Sequence, residues 1–478
     1  MWLDILPLLS LLSKHFSNDG NVATSNGDVN KIEANNLKLI KVQNVSELLK
    51  TPACNFRETK TELAAFPLAC QTLLMTLDLE GLLELAEQMN NTLSLLASDV
   101  FNQKYANYTV KIDHNGDRKT DLILMNNETI LMLGLNTTRK ILKHFGRAIQ
   151  KLTIQTQRFS VPEQEIILGF VDEYCKLSLN KLSLEITNGD TLKKLTSPFE
   201  KVEDFTCNVI DVTEVAIRNH NSLNSIFPNI RNLTLIIQSD RNTDFVGVLP
   251  NLENLNLIGD VIELDNNRKN TKYLYTERLF QKNHNITSLK LVFYPPDYLN
   301  VVRIYLWNIE SLAIWHFDLS THIYFTSVKK LEFLSPPIGS PKKMSFSNLQ
   351  EVRLKYNAKH EREWIDFFTN NRHLKRVYIE DDAENEKYFS LESLGSQLME
   401  VEELSILSNN NIPFSEIVKF VEINWFYKLQ RFTYGSKNFN ENDGEYLKKE
   451  LENKWNITEF NDHFDGFLFE RIKIEELS

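Results

Sequence analysis

Histidine and cysteine are the first places to look for chemistry in a chain with ten of the one and four of the other. His316 and His322 lie close in sequence, but no Cys or carboxylate stands at ligand spacing beside them, so they read as surface residues rather than a metal site. His360-Glu361 lacks the second histidine of a zinc-protease helix. Cys207 falls on an apolar position of a repeating pattern, which suits a buried small hydrophobe better than a nucleophile. Glycine is scarce, at 15 of 478 residues, and no glycine-rich phosphate loop occurs. The chain therefore reads as a non-enzymatic binding protein with no cofactor and no metal.

Composition narrows what it binds. The net charge is −11, with 53 Lys+Arg against 64 Asp+Glu, which argues against a general nucleic-acid binder. No apolar run approaches the ~18 residues of a membrane span, so no membrane partner is expected. Cys54, Cys70, Cys175 and Cys207 form no CxxC pair and no flanking clusters, which points to a reducing compartment, cytoplasmic or nuclear. The opening MWLDILPLLSLLSKHF has an apolar run from Ile5 to Leu12 but carries Asp4 in place of a basic start, unlike a secretory signal. Eight N-x-S/T triplets, Asn232 and Asn285 among them, are no more than chance provides in so asparagine-rich a chain.

What organises the chain is a hexapeptide, leucine-x-x-leucine-x-leucine, with Ile, Val or Phe allowed in any slot. Clean copies stand at Ile230-Leu233-Leu235, Leu252-Leu255-Leu257, Ile286-Leu289-Leu291 and Ile309-Leu312-Ile314. Looser ones precede them at Ile149-Leu152-Ile154, Leu179-Leu182-Leu184 and Val202-Phe205-Cys207. Others follow at Val328-Leu331-Phe333, Leu349-Val352-Leu354, Leu374-Val377-Ile379, Val401-Leu404-Ile406 and Leu429-Phe432-Tyr434. The mean period is about 25 residues. The last two slots sit two apart, the period of a strand, so both side chains enter one core. A strand this short cannot bury its apolar face alone, so each copy must stack on the next.

The pattern is identified as a leucine-rich-repeat array. That resemblance implies an α/β fold: a solenoid with a curved parallel sheet inside and helices or irregular turns outside, spanning 149–478. It also implies that a protein target binds the concave strand face, on residues lying between and beyond the core slots. Just beyond the third slot stand Ile236, Ile258, Val292, Trp315 and Leu334, an apolar strip with a tryptophan in it. Arg353, Lys355, Arg376 and Tyr378 form a basic, partly aromatic patch further along the same face.

Ahead of the repeats, FPLACQTLLMTLDLEGLLELAEQMNNTLSLLASDVFNQKY contains three short apolar helices within 40 residues, with Asp78 as an N-cap of the second. This stretch resembles an F-box, which in its family precedes leucine-rich repeats. Phe66-Pro67 matches the opening Leu-Pro-like pair, and Leu73, Leu74 and Leu77 fall near the end of the family's first helix. The phrase LDLEGLLELA matches the second helix. The resemblance implies a Skp-type adaptor as partner, gripped by Phe66, Pro67, Leu68, Leu73, Leu74, Leu77, Leu79 and Leu82. Leu68, Ala69, Cys70 and Gln71 depart from the family, which carries an acidic residue soon after the proline. Asn90, Asn91 and Thr92 replace its basic and aromatic residues. The implied function is the substrate-recognition subunit of a cullin–RING (SCF-type) ubiquitin ligase. The alternative is a repeat scaffold whose N-terminal helices only cap the array.

The remaining elements follow from local signals. Residues 1–60 read as a poorly ordered arm, 61–108 as the F-box-like module, and 109–148 as a connecting segment and N-terminal cap. Strands are expected over 110–125 and 130–135, with a turn at His114-Asn115-Gly116-Asp117. Thr138, Pro162 and Ser415 are placed to start helices, and Glu363–Phe368 forms a shorter one. The copies between 309 and 349 stand only 19 to 21 residues apart, too close for a full outer helix, so their connections should be extended. The tail GFLFERIKI alternates like a closing edge strand.

Overall fold

The computed structural model describes residues 75–87, 91–105, 108–115, 119–125, 135–155, 159–211, 223–237, 244–259, 269–294, 298–315, 322–335, 344–381, 391–409, 412–422, 428–437, 446, 449–451, 454–461 and 465–472. The fold is α/β, with a mostly parallel sheet, and the chain divides into two compact units, residues 1–180 and 181–478.

In the first unit, helices α1 (Leu79–Glu87), α2 (Asn91–Tyr105) and α3 (Leu135–Phe145) pack on one another. Asp78 caps α1, its carboxylate accepting the Gly81 N–H at 2.8 Å. The apolar face of α1 goes inward: Leu79, Leu82 and Leu85 are buried, and the rings of Phe101 and Phe145 stack between α2 and α3 at 4.5 Å. Lys140 pairs with Glu87 at 2.8 Å. Strands β1 (Thr109–Asn115) and β2 (Lys119–Met125) pair antiparallel, with His114 and Asn115, expected in the turn, as the last paired residues of β1, and β3 (Lys151–Gln155) lies parallel to β1. Helix α4 (Val161–Tyr174) opens with Pro162 and a capping box between Ser160 and Glu163. Thr138, expected to cap α3, instead lies a turn inside it and is fully buried, because Leu135, Asn136 and Thr137 already take helical geometry. The strand expected over 130–135 falls largely outside the described residues, with its last residue, Leu135, opening α3.

The second unit is built on one repeat-like sheet. Its strands are β4 (Lys181–Asn188), β5 (Asp204–Asp211), β6 (Asn232–Ile237), β7 (Asn254–Ile258), β8 (Ser288–Val292), β9 (Ser311–Ile314), β11 (Lys330–Phe333), β13 (Glu351–Tyr356), β14 (Arg376–Asp381), β15 (Glu403–Ser408) and β16 (Arg431–Ser436). They lie parallel in that order. The second slot of each copy pairs with the second slot of the next: Leu233 with Leu255, Leu255 with Leu289, and Leu289 with Leu312. Every residue in the three slots of all the copies is at most 3% exposed, so the pattern is the core. From β6 to β16 the strand entries repeat one hydrogen-bond motif, two successive N–H groups donating to one carbonyl of the preceding copy. Glu253 and Asn254 donate to Arg231, and Glu402 and Glu403 to Lys375.

An outer layer closes the core. It holds α5 (Leu223–Ile226), α6 (Lys269–Lys282), α7 (Tyr298–Tyr305), α8 (Glu361–Asn370), α9 (Leu391–Gly395) and α10 (Phe414–Glu422). Between α7 and α8, where the copies are short, the described parts of the connections include two extended segments, β10 (Ile323–Phe325) and β12 (Met344–Phe346), which pair in a separate two-stranded sheet. Their rings join Phe333, Trp364 and Phe367 in one aromatic cluster.

At the C-terminal end the tail does not form the edge. Strand β18 (Asp465–Arg471) lies antiparallel between β16 and β17 (Trp455–Asn461), so β17 is outermost. The segment 455–461 precedes β18 and folds back along it as a hairpin, which takes the edge away from the tail.

Candidate functional site

Alternation along each strand sends one set of side chains into the core and the other to the opposite face of the sheet. Three rows of outward residues cross the second unit. The row nearest the strand starts is Lys181, Asp204, Asn232, Asn254, Ser288, Ser311, Lys330, Glu351, Arg376, Glu403, Arg431 and Glu470, each paired in register with the next. Its last six members alternate in sign without exception. Glu351 is the most enclosed, with Arg376 at 3.1 Å, Arg353 at 3.3 Å and Lys330 at 4.0 Å. Arg431 holds Glu470 at 2.8 Å. The neutral part of the row is tied by amides: the Asn254 side chain donates to Asn232 at 2.6 Å, and Asn232 donates to Asp204.

Arg353, Lys355, Arg376 and Tyr378, expected as a basic patch, share one face of the sheet, but acidic partners leave that face without net positive charge. Arg353 and Arg376 share Glu351, and Lys355 pairs with Glu380 at 3.2 Å. The Arg353 guanidinium lies 4.3 Å over the Tyr378 ring, whose hydroxyl bonds Glu403. Burial, followed by the Glu403 carboxylate, pushes that phenol above its ordinary range. A recess of about 680 Å³ opens nearby, lined by Arg376, Glu403, Arg431 and Glu470 among others. Its charges are largely held by one another, so it offers little to a charged small molecule.

The apolar strip occupies the third row. Ile236, Ile258 and Val292 stand in register on β6, β7 and β8, and Trp315 and Leu334 follow just past the ends of β9 and β11. Val292 is buried at 9% exposure, while the other four are half-buried. The Trp315 ring packs 5.2 Å from Phe293. Phe293 has φ 61°, a left-handed conformation that costs a bulky residue strain. Gly259 makes the neighbouring approach feasible: its N–H reaches the Val292 carbonyl at 2.8 Å, and a Cβ there would lie 3.0 Å from the Phe293 carbonyl oxygen. Residue-by-residue reading missed Phe293 and Gly259 because no periodic slot marks them.

The adaptor residues divide in two. Phe66, Pro67, Leu68, Leu73 and Leu74 lie outside the described residues. Leu77, Leu79 and Leu82 are each at most 1% exposed in the first unit. Cys207 is buried, its thiol pushed up to about 12 by desolvation, which leaves no thiolate for chemistry. His322 is exposed and His316 lies outside the described residues. Among the described residues no cluster of His, Cys, Asp and Glu could hold a metal, and no helix is long and apolar enough to cross a membrane.

No protein-family model and no curated protein matches the chain. The site therefore rests on its own geometry: a continuous sheet face with one apolar row over β6–β11 and paired charges from there towards β16.

Proposed function

We propose that the chain is a leucine-rich-repeat protein that captures a protein target on its sheet face, as the substrate-recognition subunit of an SCF-type ubiquitin ligase. The observation that carries the recognition role is the half-buried apolar row from Ile236 to Leu334, adjoining a polar face whose charges are largely self-paired. Such a face gains little from small ions and much from a complementary apolar partner. The ligase role rests on the F-box resemblance of the sequence that precedes the repeats, a stretch in which α1 and α2 are the described helices.

One observation favours a second reading, in which the N-terminal helices only cap the array. Leu77, Leu79 and Leu82 face inward, where they pack the first unit rather than meet an adaptor. Co-purification of the full chain with a Skp-type adaptor separates the two. Under the ligase reading the wild type retains adaptor, and Pro67→Ala with Leu74→Asp abolishes it. Wild-type recovery no higher than background leaves the scaffold.

For the face itself, Trp315→Ala should lose a captured target by about thirtyfold or more, as central tryptophan anchors do. Lys355→Ala, at an ion pair with both partners partly exposed, should cost far less. Thermal melts of both variants decide what the loss means. A large fall for Trp315→Ala would make Trp315 a packing residue and remove it from the site.

A further inference from the structure

Two charges on the sheet face stand apart from the paired ones. Lys290 on β8 and Glu332 on β11 are exposed, and among the described residues neither has an ion-pair or hydrogen-bond partner. They flank Ala313 of β9 in the middle row, each one strand away from it. The apolar row Ile258, Val292, Trp315 and Leu334 runs directly alongside. An apolar stripe bordered by one unmatched cation and one unmatched anion is half of a complementary surface.

We propose that this face receives an amphipathic α-helix of a partner protein, lying across the strands. The proposal rests on the reading of the face as the target site. Neighbouring strands are about 4.8 Å apart, and a helix presents one side of itself every 5.4 Å, so one apolar residue per turn meets one strand with about 0.6 Å of drift per step. An extended peptide along the same line brings same-face side chains only every ~6.7 Å and is out of step by the second strand. The five-strand row is about 19 Å long, the length of roughly 13 helical residues. Lys290 and Glu332 lie two strands apart, about 10 Å, which is the rise of seven residues. The bound helix thus carries an acid for Lys290 and a base for Glu332, seven residues apart beside its apolar stripe. Ala313 between them, with its short side chain, lets the helix come close.

Two displayed peptide libraries selected on the full chain test this. One holds helix-forming 16-residue peptides with a fixed leucine stripe and the flank randomised over Asp, Glu, Lys and Arg. The other holds extended peptides interrupted by proline. The wild type should enrich the helical library for an acid and a base at seven-residue spacing. The double variant Lys290→Glu/Glu332→Lys, altered at two exposed positions, should enrich the reversed order and bind the wild-type selectants about tenfold more weakly. The same order on both proteins, or no order on either, overturns the proposal. Enrichment of the extended library alone, lost with Trp315→Ala, overturns the helix and leaves the target face standing. Binders from neither library that respond to Trp315→Ala overturn both.

Discussion

Leu255→Asp should abolish cooperative folding of the second unit. Leu255 is 2% exposed in β7, with Leu233 and Leu289 paired on either side. A carboxylate there has no cation to meet, and burying it unpaired costs several kcal/mol or forces it to take a proton. Whole domains are stable by only about 5–15 kcal/mol. Stacked copies contact mainly their neighbours, so damage in the middle deprives both flanks of their support. Asn254→Asp, one residue away on the exposed face, is the control: it gives up only the exposed amide bond to Asn232 and should shift the melt far less than Leu255→Asp. Circular-dichroism melts of the two variants decide it. Similar curves would mean that the alternation of β7 is assigned to the wrong faces.

Gly466→Ala should release the C-terminal hairpin. Gly466 pairs with Gly435 across β16 and β18, and a Cβ at 466 would stand 2.1 Å from the Tyr434 carbonyl oxygen and 2.6 Å from the Gly435 Cα. Those are backbone atoms, so no rotamer change relieves the collision and β18 must shift. The expected cost is several kcal/mol, with hydrogen exchange rising first in β17 and β18. Gly169→Ala gives the opposite sign: it sits within α4 with nothing within 4 Å, so alanine should stabilise by up to about 1 kcal/mol. Unchanged exchange in Gly466→Ala would contradict the Gly435–Gly466 register.

Periodicity made the core legible, because burial alone decides which residues occupy the slots; even Cys207 and Tyr434, poor leucine substitutes, are buried where the pattern puts them. Spacing likewise made the extended outer connections legible. Order in space was less so. The tail alternates as a strand should, yet its neighbours on the sheet depend on a hairpin partner that precedes it. The charged patch was half legible: Arg353, Lys355 and Arg376 stand out in sequence, whereas Glu351 and Glu380 become their partners only once register sets them side by side. The signal was there in the residue before each second slot, which runs Lys330, Glu351, Arg376, Glu403, Arg431. For the adaptor contact, apolar residues that pack a unit and those that grip a partner look alike along the chain.

The sign-alternating row imposes a rule of parity on how this chain can change length. Loss of the single copy that carries Arg376 would set Glu351 beside Glu403, two carboxylates on facing positions, which is destabilising. Loss of two consecutive copies would set Glu351 beside Arg431 and restore attraction. Duplication obeys the same arithmetic. From Lys330 onward, then, the array lengthens and shortens most readily in pairs. The Asn232–Ser311 stretch, whose row is uncharged, tolerates odd numbers as well as even.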